Sequence, residues 1–275
     1  MITTGVFANH AHVFPAEVNP DGTTDALLRL LDACDIARAA CFAPFAYQFA
    51  SKCIEGNCND WLARELHRHR DRLVGVGTID FARDDVAEQV KHVAGLGFRA
   101  LKLHPNAQDV GVLDARALAA YEAAEAHDLL ICFHTGVHQS RLIESRVLLF
   151  DEVAWRFPKL RISLEHVGGY HFFNEALAVL FNHAPPPWKP GKNRVFAGLT
   201  SVFSKKTTRF WYLNRDQLLE LVAQVGAEQL IFGLDFPYNG IEETKLGIET
   251  IRGLGLSERE VNLILGGNLA RELSS

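Results

Sequence analysis

Short apolar runs alternate with amphipathic segments along nearly the whole chain, and this alternation dominates its hydrophobic pattern. Runs with the length and composition of buried strands occur at residues 5–12, 39–45, 73–79, 98–104, 129–134, 161–166, 194–199 and 230–235. Most segments between them repeat apolar residues every three to four positions, as helices packed on a sheet do. Since no block consists of strands alone or of helices alone, the pattern predicts an α/β fold, a single (β/α)8 TIM barrel domain over residues 1–275.

Capping residues indicate where several of these helices begin. Asn59 is predicted to cap the helix that precedes the third strand, and Asp85 with Glu88 resembles a capping box for the helix that follows it. Ser257 and Glu260 form a second such box near the C-terminus. These signals support helices at the places where the apolar periodicity puts them.

A doubly wound open sheet is the competing architecture, because it also alternates strands with helices. Such a sheet would carry a glycine-rich phosphate turn after an early strand, and the sequence has none. Polar residues instead stand at the ends of several predicted strands, which is where barrel enzymes build their sites. The barrel is therefore the preferred fold.

Polar residues at four predicted strand ends are the candidates for chemistry. These residues are His10 and His12 after the first strand, His134 after the fifth, His166 after the sixth and Asp235 after the eighth. His10 and His12 lie two residues apart on an extended segment, so their side chains point to the same side. Histidines with a carboxylate suit Zn²⁺ or a similar divalent ion, and such an ion lowers the pKa of a bound water to about 7. The pattern therefore predicts a metal centre suited to hydrolysis.

Each candidate also has a structural explanation. His134 could simply close an apolar strand as a hydrogen-bonded core residue, and Asp235 could cap the turn that follows it. His166 could pack against the turn at Gly168 and Gly169. Because all the polar strand-end residues occur together, a shared site is favoured over these separate roles.

Composition narrows the classes of partner. The 275 residues are 48% hydrophobic and 22% charged, and 28 Lys and Arg against 33 Asp and Glu give a formal charge of −5. This balance, without blocks of like charge, weighs against nucleic acid or an anionic membrane as the main partner. With no long apolar run and no signal-peptide pattern, a cytoplasmic location is expected. The five cysteines are an odd number and are expected to be reduced.

Short motifs that carry a family resemblance run through nearly the whole chain. They are HAH at 10–12, NDWL at 59–62, DRLVG at 71–75, TID at 78–80, GFRALKLHP at 97–105, FHTG at 133–136, EHVGG at 165–169, FGLDFP at 232–237 and ILGGN at 264–268. In this order they resemble the ACMSD-like amidohydrolases, or amidohydrolase 2 family, of the metal-dependent hydrolase superfamily. One such motif is a weak signal, whereas the ordered series is a strong one.

The resemblance implies a ligand set and a catalytic pair. It implies one divalent metal ion, Zn²⁺ first and Mn²⁺ as the alternative, bound by His10, His12, His134 and Asp235. Asp235 would also take a proton from the metal-bound water, and His166 is similar to the family's catalytic histidine, which orients that water or polarises the substrate. Relatives often carry an acid two residues before the first histidine, where this chain has Ala8. The hydrogen bonding around the first strand is therefore an open point.

His104 and Arg209 are the candidate substrate contacts. Lys102 and His104 lie two apart on the fourth predicted strand and face the same way. The resemblance to a one-metal branch implies a structural role for Lys102, although a lysine on this strand bridges two metals as a carbamate in other branches. Arg209 lies in a basic and aromatic stretch, residues 204–212, which is either a grip for a substrate carboxylate or a solvated loop.

The expected function is hydrolysis of a small, carboxylate-bearing ester, lactone or amide by metal-activated water. Non-oxidative decarboxylation of an aromatic or unsaturated acid is the alternative, because the family fold and ligands serve both reactions. A metal-free lactonase and a non-catalytic barrel are further alternatives. The resemblance also implies a homodimer.

Overall fold

Eight parallel strands form the centre of the fold in the computed structural model, which describes residues 5–139, 141–144, 146–186, 188 and 191–274. They are β1 (Val6–His12), β2 (Ile36–Phe42), β3 (Leu73–Val76), β4 (Ala100–Leu103), β5 (Leu130–His134), β6 (Arg161–Glu165), β7 (Val195–Leu199) and β8 (Leu230–Phe236). Strands consecutive in sequence pair from β1 to β3 and from β4 to β8, and β1 pairs with β8. A bridge between Gly77 and Leu101 joins the β3 side to β4. The sheet is thus closed, and the predicted (β/α)8 barrel is confirmed.

Helices cover the outside of this barrel. They are α1 (Thr24–Ala33), α2 (Ala46–Ala50), α3 (Cys58–Glu65), α4 (Val86–Gly95), α5 (Ala115–Ala126), α6 (Leu149–Arg156), α7 (Gly169–Asn182), α8 (Arg215–Val225), α9 (Ile241–Arg252), α10 (Glu258–Asn262) and α11 (Asn268–Leu273). Among the described residues, no helix is both long and apolar enough to span a membrane.

Two apolar clusters stabilise the barrel from opposite sides. The larger lies between the strands and the helices, and it includes Leu27 of α1 and Val90 of α4. The smaller fills the lumen with inward side chains such as Phe7, Phe42 and Phe196. Residues of α11 belong to the lumen cluster as well, so this helix packs against the end of the barrel at which the strands begin.

Strand β1 contains a bulge between Ala8 and Ala11, and the first of its two histidines lies inside it. Ala8 pairs with Ala39 and Ala11 pairs with Cys41, so β1 has one more residue than β2 in this interval. His10, inside the bulge, has a left-handed backbone with φ 65°. One extra residue shifts the alternation of side chains beyond it to the other face.

This bulge is what turns both histidines into the barrel. Phe7 faces the lumen, and strict alternation from Phe7 would direct His10 and His12 toward the helices. With the extra residue, Asn9 and His10 both point inward, Ala11 packs outward, and His12 points inward again. The period-two expectation that the histidines share a side is correct, but the bulge decides which side.

One predicted cap is wrong and another is only partly correct, because the side chains have other partners. Helix α3 is capped by Asn57, whereas Asn59 is buried and bridges to Thr78, accepting from its N–H at 2.8 Å and donating to its carbonyl at 3.0 Å. Asp85 does stand at the N-cap of α4, but the capping box is absent, because its side chain accepts from Arg83 at 2.9 Å and not from a backbone N–H of the helix.

One predicted capping box and the free cysteines are confirmed, whereas some strands end a few residues away from their predicted bounds. The capping box of Ser257 and Glu260 is present at α10. Strand β2 occupies Ile36–Phe42 instead of residues 39–45, and β3 ends at Val76 instead of 79, because the pairing of β2 with β3 ends at Phe42 and Val76. The cysteines are free, as expected.

Two inward positions on β7 and β8 are glycines, and both leave room for buried polar side chains. A Cβ at Gly198 would lie 2.6 Å from Cδ of Glu165, and a Cβ at Gly233 would collide with Oγ1 of Thr200 and approach Cβ of His10. The packing of Glu165, Thr200 and His10 in the barrel therefore depends on these glycines.

Gly233→Ala is expected to lower the free energy of unfolding by about 1–3 kcal/mol, the usual cost of overpacking. Gly95→Ala in α4 is the matched control, because a Cβ there meets no atom within 4 Å and alanine favours the helix. Urea unfolding followed by circular dichroism checks both variants. Equal stability of the two would show that the site is not tightly packed around Gly233.

Candidate active site

A cavity of about 340 Å³ lies at the C-terminal ends of the strands. Its floor and walls are formed by the strand-end residues His10, His12, Lys102, His134, His166 and Asp235. The rest of the lining consists of His104, His138, Gln48, Ala107 and four aromatic residues, Phe45, Tyr47, Trp211 and Tyr238. The structure thus brings all five of the predicted metal-binding and catalytic residues to one cavity.

His10, His12 and Asp235 form the tightest group of metal-ligating atoms in this cavity. Oδ1 of Asp235 lies 3.4 Å from Nε2 of His10 and 3.8 Å from Nε2 of His12. Their ligating atoms all lie within 4.8 Å of one another. Imidazole nitrogens and a carboxylate oxygen in this arrangement are suitable ligands for a divalent ion.

Ser201 holds Asp235 in this orientation. Its hydroxyl donates to Oδ2 of Asp235 at 2.5 Å, and Nδ2 of Asn239 donates to Oγ of Ser201 at 3.0 Å. Oδ1 therefore faces the histidines. Ser201 and Asp235 both have left-handed backbones, with φ 58° and 59°, a conformation that nonglycine residues adopt rarely and that clusters at functional sites. Sequence reasoning missed Ser201 and Asn239, since neither belongs to a recognisable motif.

Glu165 is a buried carboxylate beneath the histidines, and each of its two oxygens accepts two hydrogen bonds. Oε2 accepts from Nδ1 of His10 at 2.8 Å and from Oγ1 of Thr200 at 2.9 Å. Oε1 accepts from Nδ2 of Asn9 at 3.0 Å and from Oγ of Ser163 at 2.6 Å. Burial raises the pKa of Glu165, whereas Lys102 and the hydroxyl donors act in the opposite direction. The carboxylate fixes the His10 ring, and a histidine so oriented presents its Nε2 lone pair to a metal.

Glu165 also resolves the open point raised by Ala8. The hydrogen bonding left open by Ala8 is supplied by Glu165 of β6, whose carboxylate reaches His10. The sequence contains a signal for it, an acid that ends an otherwise apolar strand. The prediction of the site does not include Glu165, because the adjacent His166 accounts for the motif.

His166 and His104 present opposite hydrogen-bonding groups to the cavity, as inferred from their partners. Nδ1 of His166 donates to the carbonyl of Thr200 at 2.8 Å, so its Nε2 is an acceptor. Burial lowers the pKa of His166 to about 3, which keeps the ring neutral. Nδ1 of His104 accepts from the N–H of Ala107 at 3.2 Å, so the Nε2 of His104 carries the proton.

His134 lies next to the three-residue group without being part of it. Its ring stacks on His104 with centroids 3.8 Å apart, and its centroid is 4.8 Å from that of His166. Nε2 of His134 is buried and has no hydrogen-bond partner among the described residues. Buried polar atoms are normally bonded, so this atom fits a metal ligand. Its role as the fourth ligand stays a prediction.

Lys102 reaches the centre of the site, although a structural role was expected for it. Its Nζ donates to Nε2 of His10 at 3.3 Å and lies 5.2 Å from the ring centroid of Phe42. The side chain is almost completely buried. Burial lowers the pKa of Lys102, and the charges of Glu165 and Asp235 oppose that effect.

Arg209 does not reach the cavity. Its guanidinium is exposed and lies 4.9 Å above the ring of Phe210. The turn that contains it directs Trp211 inward instead, where the indole stacks on His166 with centroids 4.9 Å apart. The geometry therefore does not support the predicted contact between Arg209 and a substrate.

Comparison with known families agrees with this site. A family model described as amidohydrolase matches residues 9–273. The chain belongs to this family. Members are metal-dependent enzymes, and the cluster of His10, His12 and Asp235 is consistent with that chemistry. No curated protein sequence matches the chain.

Solved structures of low sequence identity share the barrel. 5-Carboxyvanillate decarboxylase from Sphingomonas paucimobilis is 18% identical, with a TM-score of 0.71 and 99% of both chains covered. Dihydroxybenzoic acid decarboxylase from Polaromonas sp. JS666, with bound manganese, is 15% identical, with a TM-score of 0.70 over 98% of this chain and 96% of that one. A proposed 2-pyrone-4,6-dicarboxylic acid hydrolase from Pseudomonas putida is 20% identical, with a TM-score of 0.69 over 98% and 97%. At these identities the similarity establishes the fold.

Glu165→Gln is expected to weaken Zn²⁺ binding by about 10- to 100-fold, because His10 loses the carboxylate that orients it. Competition with a chelating dye measures the affinity. Ser163→Ala is the matched control, since it removes a hydrogen bond from the other oxygen of Glu165 and leaves His10 in place. An equal loss in the control would assign the effect to the whole network instead of to His10.

Stability of the metal-free protein is expected to fall as the pH is lowered from 7 to 5. Burial lowers the pKa values of His10, His12, His104, His134 and His166, so the folded state stays unprotonated where the unfolded histidines, with pKa values near 6.5, take up protons. Unfolding is therefore favoured progressively below about pH 6.5. Urea unfolding midpoints in EDTA measure this trend.

The raised pKa values of the two buried carboxylates act in the opposite direction, but with fewer protons. His104→Gln should make the pH dependence shallower, because one of the histidines that take up a proton is gone. A midpoint independent of pH between 7 and 5 would contradict this account.

Proposed function

We propose that this enzyme is a metal-dependent hydrolase of a small, carboxylate-bearing ester, lactone or amide. The observation that carries the proposal is a pair of hydrogen-bond acceptors directed into the same cavity. Oδ1 of Asp235 stands between the two strand-one histidines, and Nε2 of His166 has its lone pair free because Nδ1 donates to Thr200. Hydrolysis needs such acceptors to orient a water molecule and remove its proton.

The residues that would hold the metal are His10, His12 and Asp235, with His134 as the fourth. Zn²⁺ is proposed first and Mn²⁺ second. When bound, a divalent ion supplies an activated water and polarises the substrate carbonyl. Asp235 would take the water proton on its carboxylate, which Ser201 holds in place by a hydrogen bond to Oδ2. His166 accepts a hydrogen bond at Nε2 and so orients the attacking water.

The size and walls of the cavity define the substrate further. About 340 Å³ is at the lower end of the range for small-molecule pockets, which suits a compact substrate with a single ring. Trp211 stacks on His166 at one side of the cavity. Tyr238 packs against His12 in a T-shaped arrangement, with ring centroids 5.7 Å apart. These aromatic faces pack well against a flat ring.

The aromatic walls also favour a second candidate function, non-oxidative decarboxylation of an aromatic or unsaturated acid. A planar acid would fit between the same rings, and two of the structural neighbours are decarboxylases of aromatic acids. In that reaction a side chain must deliver a proton to carbon. The acceptor character of His166 is less suited to this than to hydrolysis, which is why hydrolysis is placed first.

Product analysis on the metal-loaded enzyme distinguishes the two reactions. We expect hydrolysed product from a panel of lactones, esters and amides that carry a carboxylate, and no CO₂ from a panel of aromatic and unsaturated acids. CO₂ release without any hydrolysed product would reverse the assignment.

Asp235→Asn is expected to lower kcat by at least about 10³-fold on whichever panel is active, because the amide keeps the shape but loses the proton acceptor. Asp35→Asn is the matched control. Asp35 is exposed and has the same left-handed backbone, with φ 53°, outside the cavity. Steady-state kinetics and thermal unfolding are measured for both. Full activity of the Asp235 variant would remove this residue from the mechanism.

A further inference from the structure

We propose that Lys102 and His104 form an anion subsite that binds the substrate carboxylate beside the metal ligands. This inference rests on the proposed hydrolase and names the group that recognises its substrate. The observations that carry it are the placement of two donors on one strand, their burial, and the balance of charge in the cavity.

Lys102 and His104 come from the same edge of the barrel. Lys102 is on β4 and His104 follows its last residue, so the two side chains, two residues apart, both project into the cavity. Lys102 is 1% exposed and His104 is 7% exposed, which means that both are shielded from bulk water. In such surroundings a charge-assisted hydrogen bond to an anion is stronger than at the surface.

The donor of His104 is held in a fixed direction. Nδ1 is engaged by the N–H of Ala107, which leaves the proton on Nε2. The ring lies parallel to that of His134, with an angle of 5° between the planes. The ring of His138 packs against it in a T-shaped arrangement, with centroids 4.4 Å apart. The Nε2–H group is therefore oriented before any substrate arrives.

Lys102 is hydrogen-bonded to a nitrogen that a bound metal ion would occupy. In the part of the chain that the structure describes, its Nζ is hydrogen-bonded to Nε2 of His10, the nitrogen proposed as a metal ligand. Once that lone pair is used for coordination, the N–H of Lys102 loses its acceptor. A substrate oxygen at the cavity side of Nζ would replace it.

The charge of the cavity favours an anionic ligand. Glu165 and Asp235 are the carboxylates in contact with the histidines, and among the described lining residues Lys102 is the one Lys or Arg. With neutral histidines, a divalent ion changes the local balance from one net negative charge to one net positive charge. Buried net charge is unfavourable unless it is paired, and a carboxylate on Lys102 pairs it.

Benzoate and benzamide are suitable probes, because they have the same shape and differ in charge. Isothermal titration calorimetry of the Zn²⁺-loaded enzyme is expected to show at least about tenfold tighter binding of benzoate. In Lys102→Met, which keeps the length of the side chain without its charge, benzoate is expected to bind at least about tenfold more weakly. Benzamide binding should change by no more than about two- to threefold, and Lys102→Arg should keep most of the preference for benzoate.

His104 provides the second variant pair. Gln keeps an N–H near the position of Nε2, whereas Leu removes it, so His104→Leu should weaken benzoate binding more than His104→Gln. Metal content and thermal unfolding are measured for every variant. If Lys102→Met loses its metal or its fold, the His104 pair and Lys102→Arg decide the question.

The subsite is rejected if wild-type enzyme does not prefer benzoate to benzamide. It is also rejected if both Lys102→Met and His104→Leu keep that preference, since the carboxylate would then bind the metal alone. Because binding is measured without turnover, these results are independent of the hydrolysis panel. Loss of the preference in an enzyme that hydrolyses nothing would support the subsite and remove only the proposed reaction.

Discussion

The hydrogen bond between Glu165 and His10 is the interaction on which the rest of the site depends. A carboxylate inside a barrel lumen is stable only when donors surround it, and Glu165 takes its donors from β1, from its own strand β6 and from the residue after β7. Gly198 leaves the space that the carboxylate fills, and Gly233 leaves space for Thr200 and His10. The bulge in β1 turns Asn9 and His10 inward together, so that both can donate to the same group. Fold and site are thus linked through one buried charge.

The proposed roles of the cavity residues follow from which nitrogen of each histidine is already engaged. Nδ1 of His10 donates to Glu165, and Nδ1 of His166 donates to the carbonyl of Thr200. Both histidines therefore present a lone pair at Nε2. His104 is engaged in the opposite sense and presents a proton. Acceptors consequently lie with Asp235 on the β1, β6 and β8 side, while donors lie on the β4 side. A water molecule and a substrate anion would then occupy different parts of one small cavity, without competing for the same groups.

The sequence predicts the barrel and the membership of its site, and it fails where local backbone geometry decides. Strand-end positions identify His10, His12, His134, His166 and Asp235, because parallel strands bring their carboxyl ends together whatever the details of each strand. The bulge at His10 is not visible in a period-two pattern, and the left-handed backbones of His166, Ser201 and Asp235 lie outside any helix or strand periodicity. For the same reason the sequence does not identify Ser201 as the partner of Asp235, and it indicates Glu165 only as an acid that ends an apolar strand. Arg209 fails differently, since charge and nearby aromatics indicate a binding loop but not which side chain of a turn points inward.

The position of Lys102 explains why one set of ligands can be read as hydrolase or decarboxylase. In both proposed reactions a metal, Asp235 and a flat substrate would meet at the same place, and the reactions would differ in which bond of the substrate faces them. The proposed anion subsite at Lys102 and His104 would keep the carboxylate on the β4 side, away from Oδ1 of Asp235. The scissile ester or amide carbon is then the part of the molecule that can face the acceptors. A carboxylate placed at the metal instead would expose the carbon that carries it, which is the arrangement decarboxylation needs. The place where the substrate carboxylate binds would therefore decide between the two proposed reactions.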